Sequence, residues 1–485
     1  MSRRFRLALS AIVLAGGAIR LTRLDHFSYG LDEILQSYWI NGSWGFFWKS
    51  LTFDAFHPPL DYIVGKLLEA LHPGDAARKL PAVLWGAGTI AVFGRLLARR
   101  AGEAAGLTAA ALLALAPYHV RYSQELRPYS LALFLLCLSL AALDRYLERP
   151  GALCLAALFA SCLATAYTLY LAAGVLALTG AALLADDALG PDASRRRTAR
   201  RFLAWSPVFV LALWVAYLPW WPVLQTAMRR APMAAPAPAT LARAGRVLSF
   251  FAFAPNDGYP LGAGGWLFAA LAAAGLGMAL ARPGLRFLAV WGVGGLAVIE
   301  TLGRLHPHFD FSRRFLPAGP GLTALAALAL VTMLSRPVAR FAGAALLTAV
   351  LVLDAKSLQI YFRQGRADWR PLGEFLRRNA EPTERIFTEN QYAQLCVAYY
   401  VVGPQWLSDA LDGGQPERSV VSLDGDGRRL AYAWRPGSRA WLVLAGEPAS
   451  PALRRWARGF PSHSFPSAER AVVHRLDPGA PPAPR

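Results

Sequence analysis

Apolar runs of roughly 15 to 23 residues recur along the chain, and a run of that length needs one bilayer crossing. Short connectors that carry arginine separate them. The runs fall at Leu7 to Leu24, Leu80 to Leu97, Ala104 to Tyr118, Tyr129 to Leu143, a divided stretch from Leu153 to Leu184, Phe202 to Leu224, Leu261 to Ala281, Phe287 to Leu302, Phe315 to Leu334 and Phe341 to Ile360. About eleven crossings follow. Only 17% of the 485 residues are charged and 55% are hydrophobic, whereas soluble chains carry about 25% charged residues. Lipid, not water, is therefore the main solvent, and the fold class is a polytopic α-helical membrane protein.

The net charge of +19 is scattered over many loops instead of forming one stripe, which argues against nucleic acid as a partner. The four cysteines follow no metal spacing, and Cys137, Cys154 and Cys162 lie inside apolar runs. No disulfide framework is available. The opening "MSRRFRLALSAIVLAGGAI" has the make-up of a secretory signal, but many spans follow it, so it reads as an uncleaved first helix with Arg3, Arg4 and Arg6 in the cytoplasm.

The uncharged run Leu153 to Leu184 is long for one upright helix and short for two. Charge decides the count. The densest basic loop, "SRRRTARR" at Ser194 to Arg201, should share the cytoplasmic side with the N-terminus, which requires an even number of crossings between them. Two short helices meeting at "YTLY", Tyr167 to Tyr170, satisfy that requirement. The Asp25 to Lys79 loop and everything after Ile360 then lie outside. So do Arg121, Arg127, Arg304, Arg313 and Arg314, for which lipid-headgroup anchoring and an anionic ligand both remain open.

From Gln364 the sequence becomes mixed polar and apolar. "PLGEFLRRNAEP", Pro371 to Pro382, reads as an amphipathic helix ended by proline, and "RIFTEN" and "RAWLVLAGEP" read as strands. The domain expectation is a membrane domain over 1–360, with the acidic pair in the outer loop 25–79, then a small α/β domain over 361–477 and a disordered tail over 478–485.

Chemistry-bearing residues gather in the outer loops. Asp32 and Glu33 in "SYGLDEILQSYWI" sit among Phe27, Tyr29, Tyr38, Trp39 and Trp44. They read either as solvated loop charge or as a partly desolvated general base acting on a hydroxyl. "HPPL", His57 to Leu60, forms a rigid bend, with His57 either structural or a ligand contact. "RYSQELRPYS", Arg121 to Ser130, holds Glu125 between two arginines, as an ion pair or as part of a substrate site. His306, His308 and Asp310 in "HPHFD" are weak candidates for a divalent metal, and the sequence points to no certain cofactor. No glycine-rich phosphate loop is present.

Together "AIRLTRLDHFSYGLDEI", "HPPLDY", "RYSQELRPYSLALFLLCLSL", "AYTLYLAAGVL", "SRRFLPAGPGL" and "ADWRPLGEFLRRN" resemble the bacterial family 39 glycosyltransferases of the GT-C superfamily. These are related to protein O-mannosyltransferases and to the aminoarabinose transferase acting on lipid A. The resemblance implies a GT-C fold and an inverting transferase at the outer face of the cytoplasmic membrane, with a polyprenyl-phosphate-linked sugar as donor and a lipid, glycan or protein as acceptor. It places Asp32 as the catalytic carboxylate with Glu33 beside it, Glu125 and Arg127 in the second-loop motif, and Arg314 before "FLP" as a phosphate contact. His57, Tyr122 and Arg313 complete the expected substrate-binding set. Leu169 stands where relatives often have histidine, so no role passes to it.

The chemistry fits independently of the resemblance. An anionic leaving group needs positive charge more than it needs a general acid, and a guanidinium grips phosphate through two hydrogen bonds. The competing readings are a transporter or flippase of lipid-linked sugars, in which ionisable groups would sit near mid-membrane, and a non-catalytic receptor. Glu300, beside Arg304, is the nearest such group, and pairing accounts for it.

Overall fold

A computed structural model of the chain describes residues 1–71, 73–230, 247–252, 263–305, 312–364, 367–411, 419–423, 430, 434, 438–445 and 451–477. The chain divides into two compact units that do not follow chain order. One comprises Met1–Leu24, Leu51–Val64 and Gly74–Arg363, and the other Asp25–Ser50, Gly65–Pro73 and Gln364–Arg485.

The first unit is helical, and each apolar run of the sequence becomes a helix. Among the described residues seven helical stretches are long and apolar enough to cross a membrane: Asp75–Ala101, Tyr129–Glu148, Tyr170–Ala188, Ala193–Arg229, Gly264–Ala281, Arg313–Leu334 and Arg340–Arg363. The chain is an integral membrane protein. The other runs form Arg3–Leu21, Glu103–Leu115 and Ala152–Ala166, and a helix between Arg286 and Leu305 interrupted by a π-helical segment at Val290–Gly294. These are shorter, interrupted or arginine-bearing, so they fall short of the same criterion.

Burial sorts the helices. The apolar window within Arg313–Leu334 is 94% buried, which makes it the centre of the unit, whereas the window within Ala193–Arg229 is only 11% buried and faces the surroundings. Tight crossings rest on glycine, as expected where lipid supplies no hydrophobic drive between helices. A Cβ at Gly275 would lie 1.8 Å from the Leu325 carbonyl oxygen, and one at Gly106 would lie 2.4 Å from that of Gly94.

The run Leu153 to Leu184 forms two helices, as the count of crossings requires, and they meet at "YTLY". Helix Ala152–Ala166 ends at Tyr167, Leu169 takes an extended φ of −155°, and the next helix starts at Tyr170. Pro207 lies inside helix Ala193–Tyr217. Its missing N–H frees the Leu203 carbonyl, and the Ser206 hydroxyl donates to that carbonyl at 2.8 Å, so the helix continues.

At the end of the bundle that carries "SRRRTARR", an ion network ties four helices together. Asp144, fully buried, pairs with Arg99 at 2.6 Å, Arg100 at 2.6 Å and Arg195 at 2.9 Å. Asp187 pairs with Arg100 at 2.7 Å and Arg195 at 2.9 Å, and Arg99 also meets Glu148. Multiple partners are what makes a buried carboxylate tolerable.

The second unit is α/β. Its strands are β1 (Arg385–Thr388), β2 (Val420–Ser422), β3 (Ala440–Leu444), β4 (Ser462–Phe465) and β5 (Ala471–Leu476), in the order β2-β1-β3-β5-β4. β1 pairs parallel with both β2 and β3, and β5 pairs antiparallel with β3 and β4. The all-apolar β3, "AWLVL", is buried along its whole length, as a central strand covered on both faces must be. Helix Arg370–Asn379 ends before Pro382 as the sequence suggests.

Candidate functional site

The acidic segment belongs to the second unit, and its backbone explains why the two carboxylates differ. Gly30 precedes helix Leu31–Asn41, and Asp32 and Glu33 occupy the first turn, where the helix dipole favours anions. Glu33 is buried, and its carboxylate turns back to accept the Gly30 N–H at 3.1 Å. It acts as a capping residue. Asp32 is half-buried.

This segment is fastened within its own unit. The Tyr29 N–H donates to the Tyr400 hydroxyl at 2.7 Å, Tyr38 donates to the Leu395 carbonyl at 2.9 Å, and the Ser37 and Tyr399 hydroxyls meet at 3.1 Å. Arg370, held by Asp368, also donates to the carbonyls of Asp25 and His26, and Ser28 donates to the Ala367 carbonyl at 2.6 Å. The "ADWRPLGEF" stretch thus holds the start of the acidic segment in place.

In the first unit a second group of residues assembles around Arg127, which is buried. Its guanidinium donates to the Tyr62 hydroxyl at 3.2 Å, lies 3.3 to 3.4 Å from the ring nitrogens of His57, and stacks over Tyr129 at 5.9 Å. Packing around the His57 ring, and then the charges of Arg127 and Arg313, holds that imidazole well below the usual histidine range. His57 is therefore neutral near pH 7, and the positive charge resides on the guanidiniums. Burial likewise pushes the Tyr62 phenol up, keeping it a hydrogen-bonding group.

The remaining sequence candidates of this unit take other partners. Glu125 lies 3.5 Å from Arg121, whose guanidinium also covers Tyr122, and Tyr122 packs edge-on to Tyr129 at 5.2 Å. Arg314 is buried, donates to Glu300 at 3.0 Å and stacks on Phe315 at 4.7 Å. Glu300 thus finds a partner beyond its own helix, in Arg314. The structure brings together His57, Arg127 and the field of Arg313, with Tyr122 reached through Tyr129. Asp32 and Glu33 belong to the other unit.

Residues that carried no role in the sequence position this cluster. The bend before His57 is set by Ala55 at φ 58°. The Ala55 carbonyl accepts from Tyr170 at 3.3 Å, Trp220 donates to Tyr170 at 2.9 Å, and the Leu60 N–H donates to the Tyr167 carbonyl at 2.9 Å. "YTLY" is thus the seat of "HPPL", and the break in an otherwise apolar run was its sequence signal. Arg20, fully buried, donates to the carbonyls of Ala114 at 3.0 Å and Leu113 at 3.3 Å. Leu113 lacks its helical donor because residue 117 is proline. In return Gln124 donates to the carbonyls of Arg20 at 2.8 Å and Thr22 at 2.9 Å, capping the end of the first helix. This reciprocal join fixes the loop that holds Glu125 and Arg127.

Among the described residues no group of three or more His, Cys, Asp or Glu is placed to hold a metal ion. His306, His308 and Asp310 lie outside the described residues.

The arrangement is the GT-C membrane fold. Over 98% of its length the chain superposes, with TM-score 0.61 and 13% identity, on 98% of ArnT from Cupriavidus metallidurans bound to undecaprenyl phosphate. The apo state of the same protein gives TM-score 0.59 at 15% identity over 97% of each chain. The apo oligosaccharyltransferase of Archaeoglobus fulgidus gives TM-score 0.54 at 10% identity, over 90% of this chain and 69% of that one; the same enzyme has also been solved with zinc and sulfate. No protein-family model matches the chain, and no curated protein matches it in sequence.

Proposed function

We propose that the chain is an inverting glycosyltransferase that moves a sugar from a polyprenyl-phosphate donor to a hydroxyl acceptor at the outer face of the cytoplasmic membrane. The observation that carries this reading is the shared fold, over nearly the whole of both chains, with a protein solved with undecaprenyl phosphate bound. The buried cationic cluster around Arg127 adds to it. A neutral His57 leaves Arg127 and Arg313 to meet an anionic leaving group, in surroundings where their charge acts strongly. Arg314, Glu125 and Tyr122 are proposed to shape the same substrate site, with Arg314 oriented by Glu300.

Asp32 is the proposed base. As it takes the proton, the acceptor oxygen attacks the anomeric carbon from the face opposite the phosphate, and the carbon–oxygen bond to phosphate breaks with its electron pair staying on the phosphate. Glu33 serves Asp32 by capping the helix that presents it. The proposed division is a catalytic membrane domain over 1–360, including the outer loop 25–79, and an extracytoplasmic α/β domain over 361–477 that holds that loop through Arg370 and Tyr400; the tail expected over 478–485 lies outside the described residues.

Extracting the lipid that co-purifies with the protein tests the donor assignment. A polyprenyl phosphate, diminished in Arg127→Gln, is the expected result. Phospholipid alone, unchanged in the variant, would overturn it.

A further inference from the structure

A cavity of about 430 Å³ opens at the end of the first unit that carries the basic loop, lined by Tyr146, Thr198, Arg201 and Trp205, with Pro150 and Ala204. Thr198, Arg201 and Trp205 are spaced i, i+3 and i+7 on helix Ala193–Tyr217, so one helix face presents a hydroxyl, a guanidinium and an indole to it. The aromatic walls are held by the buried Phe202, whose ring lies 5.5 Å from Tyr146 and 4.8 Å from Trp205.

Charge identifies the occupant. The nearby carboxylates of Asp144, Glu148 and Asp187 are committed to Arg99, Arg100 and Arg195. Among the described residues Arg201 has neither a hydrogen-bond nor an ion-pair partner, so the cavity keeps an uncompensated cation. Below it, one helical stripe continues with Val208, Leu211 and Val215, exposed by 65%, 56% and 52%. A free anion would gain nothing from such a stripe, whereas an acyl chain would lie along it. The helix also carries the least buried apolar window of the seven candidate spans, 11%, and an indole beside a guanidinium at the apolar-to-basic transition is the arrangement found at membrane interfaces.

We infer that this cavity binds the headgroup of an anionic phospholipid, with Arg201 and Thr198 on the phosphate, Trp205 and Tyr146 flanking the glycerol region, and an acyl chain along Val208 and Leu211. The site is independent of the proposed catalytic residues.

Native mass spectrometry of the delipidated full-length protein tests it, titrating phosphatidylglycerol, phosphatidylcholine or inorganic phosphate. Phosphatidylglycerol is expected to be retained over phosphatidylcholine, with excess phosphate failing to displace it. Arg201→Gln should weaken retention about tenfold, the worth of one charge-assisted hydrogen bond, and Thr198→Val should weaken it less. Arg201→Lys should restore part of it. The unfolding temperature without lipid should stay unchanged, because the Arg201 side chain makes no hydrogen bond or ion pair among the described residues. Equal retention by wild type and Arg201→Gln, equal retention of phosphatidylcholine, or displacement by phosphate would each overturn the assignment.

Discussion

Glu33 accepts the backbone N–H of Gly30 at 3.1 Å, so the two adjacent carboxylates of the acidic segment stand in different surroundings. Glu33→Gln keeps an acceptor at the cap and should cost little stability, while Glu33→Ala loses it and should cost about 1 kcal/mol. Asp32→Asn gives up the favourable charge in the first helical turn and should lower the unfolding temperature only slightly. Thermal unfolding of the three variants checks this, and a large loss in Asp32→Asn would show that Asp32 supports the fold.

Arg127 meets both Tyr62 and His57 from one guanidinium. Lysine presents a point charge and cannot hold both partners while gripping phosphate bidentately. Arg127→Lys and Arg127→Gln are therefore both expected to lower transfer by about 10²-fold or more. A sugar-transfer assay in membranes reads this, and near-wild-type transfer by Arg127→Lys would mean that charge alone suffices.

The depressed pKa of His57 has a direct consequence for stability. A group whose folded pKa lies below its unfolded value of about 6.5 binds more protons when unfolded, so it weakens the fold as pH falls below that value. Burial lowers His119 and His474 in the same direction. The unfolding temperature should be steady above about pH 7.5 and fall from pH 6.5 downward, and His57→Asn should make the fall shallower. An identical pH profile in the variant would contradict the neutral imidazole.

Arg20 satisfies the carbonyls of Leu113, which Pro117 leaves without its helical donor, and of Ala114. Arg20→Met fills the space but leaves those buried acceptors unmet, at a cost of about 1 to 3 kcal/mol each. A marked fall in unfolding temperature is expected, with transfer falling in step because the Glu125 to Arg127 loop loses its anchor. An unaltered unfolding temperature would remove Arg20 from this role.

Periodicity and run length made the helices legible, and the charge of "SRRRTARR" required two helices in the run Leu153 to Leu184, which meet at "YTLY". Composition after Gln364 announced the α/β unit, and "RIFTEN" and "RAWLVLAGEP" became its strands β1 and β3. What local pattern could not carry were pairings across long stretches of chain. Tyr29 meets Tyr400 and Arg370 meets Asp25, which gathers the acidic segment into the same compact unit as the C-terminal residues. Glu300 and Arg314, on separate elements, meet only once the chain has folded. "YTLY" read as a helix break, but its task of seating "HPPL" depends on hydrogen bonds to Ala55 and Leu60 that no spacing encodes.

Transfer of a radiolabelled sugar from a polyprenyl-phosphate donor, in membranes containing the protein, tests the proposed glycosyltransferase activity, with Asp32 as its base, most directly. Wild type should transfer the label to a hydroxyl acceptor with inversion, and Asp32→Asn should do so about 10²- to 10⁴-fold more slowly while remaining folded. Undiminished transfer by Asp32→Asn, or movement of intact donor across the membrane with no transfer at all, would contradict it.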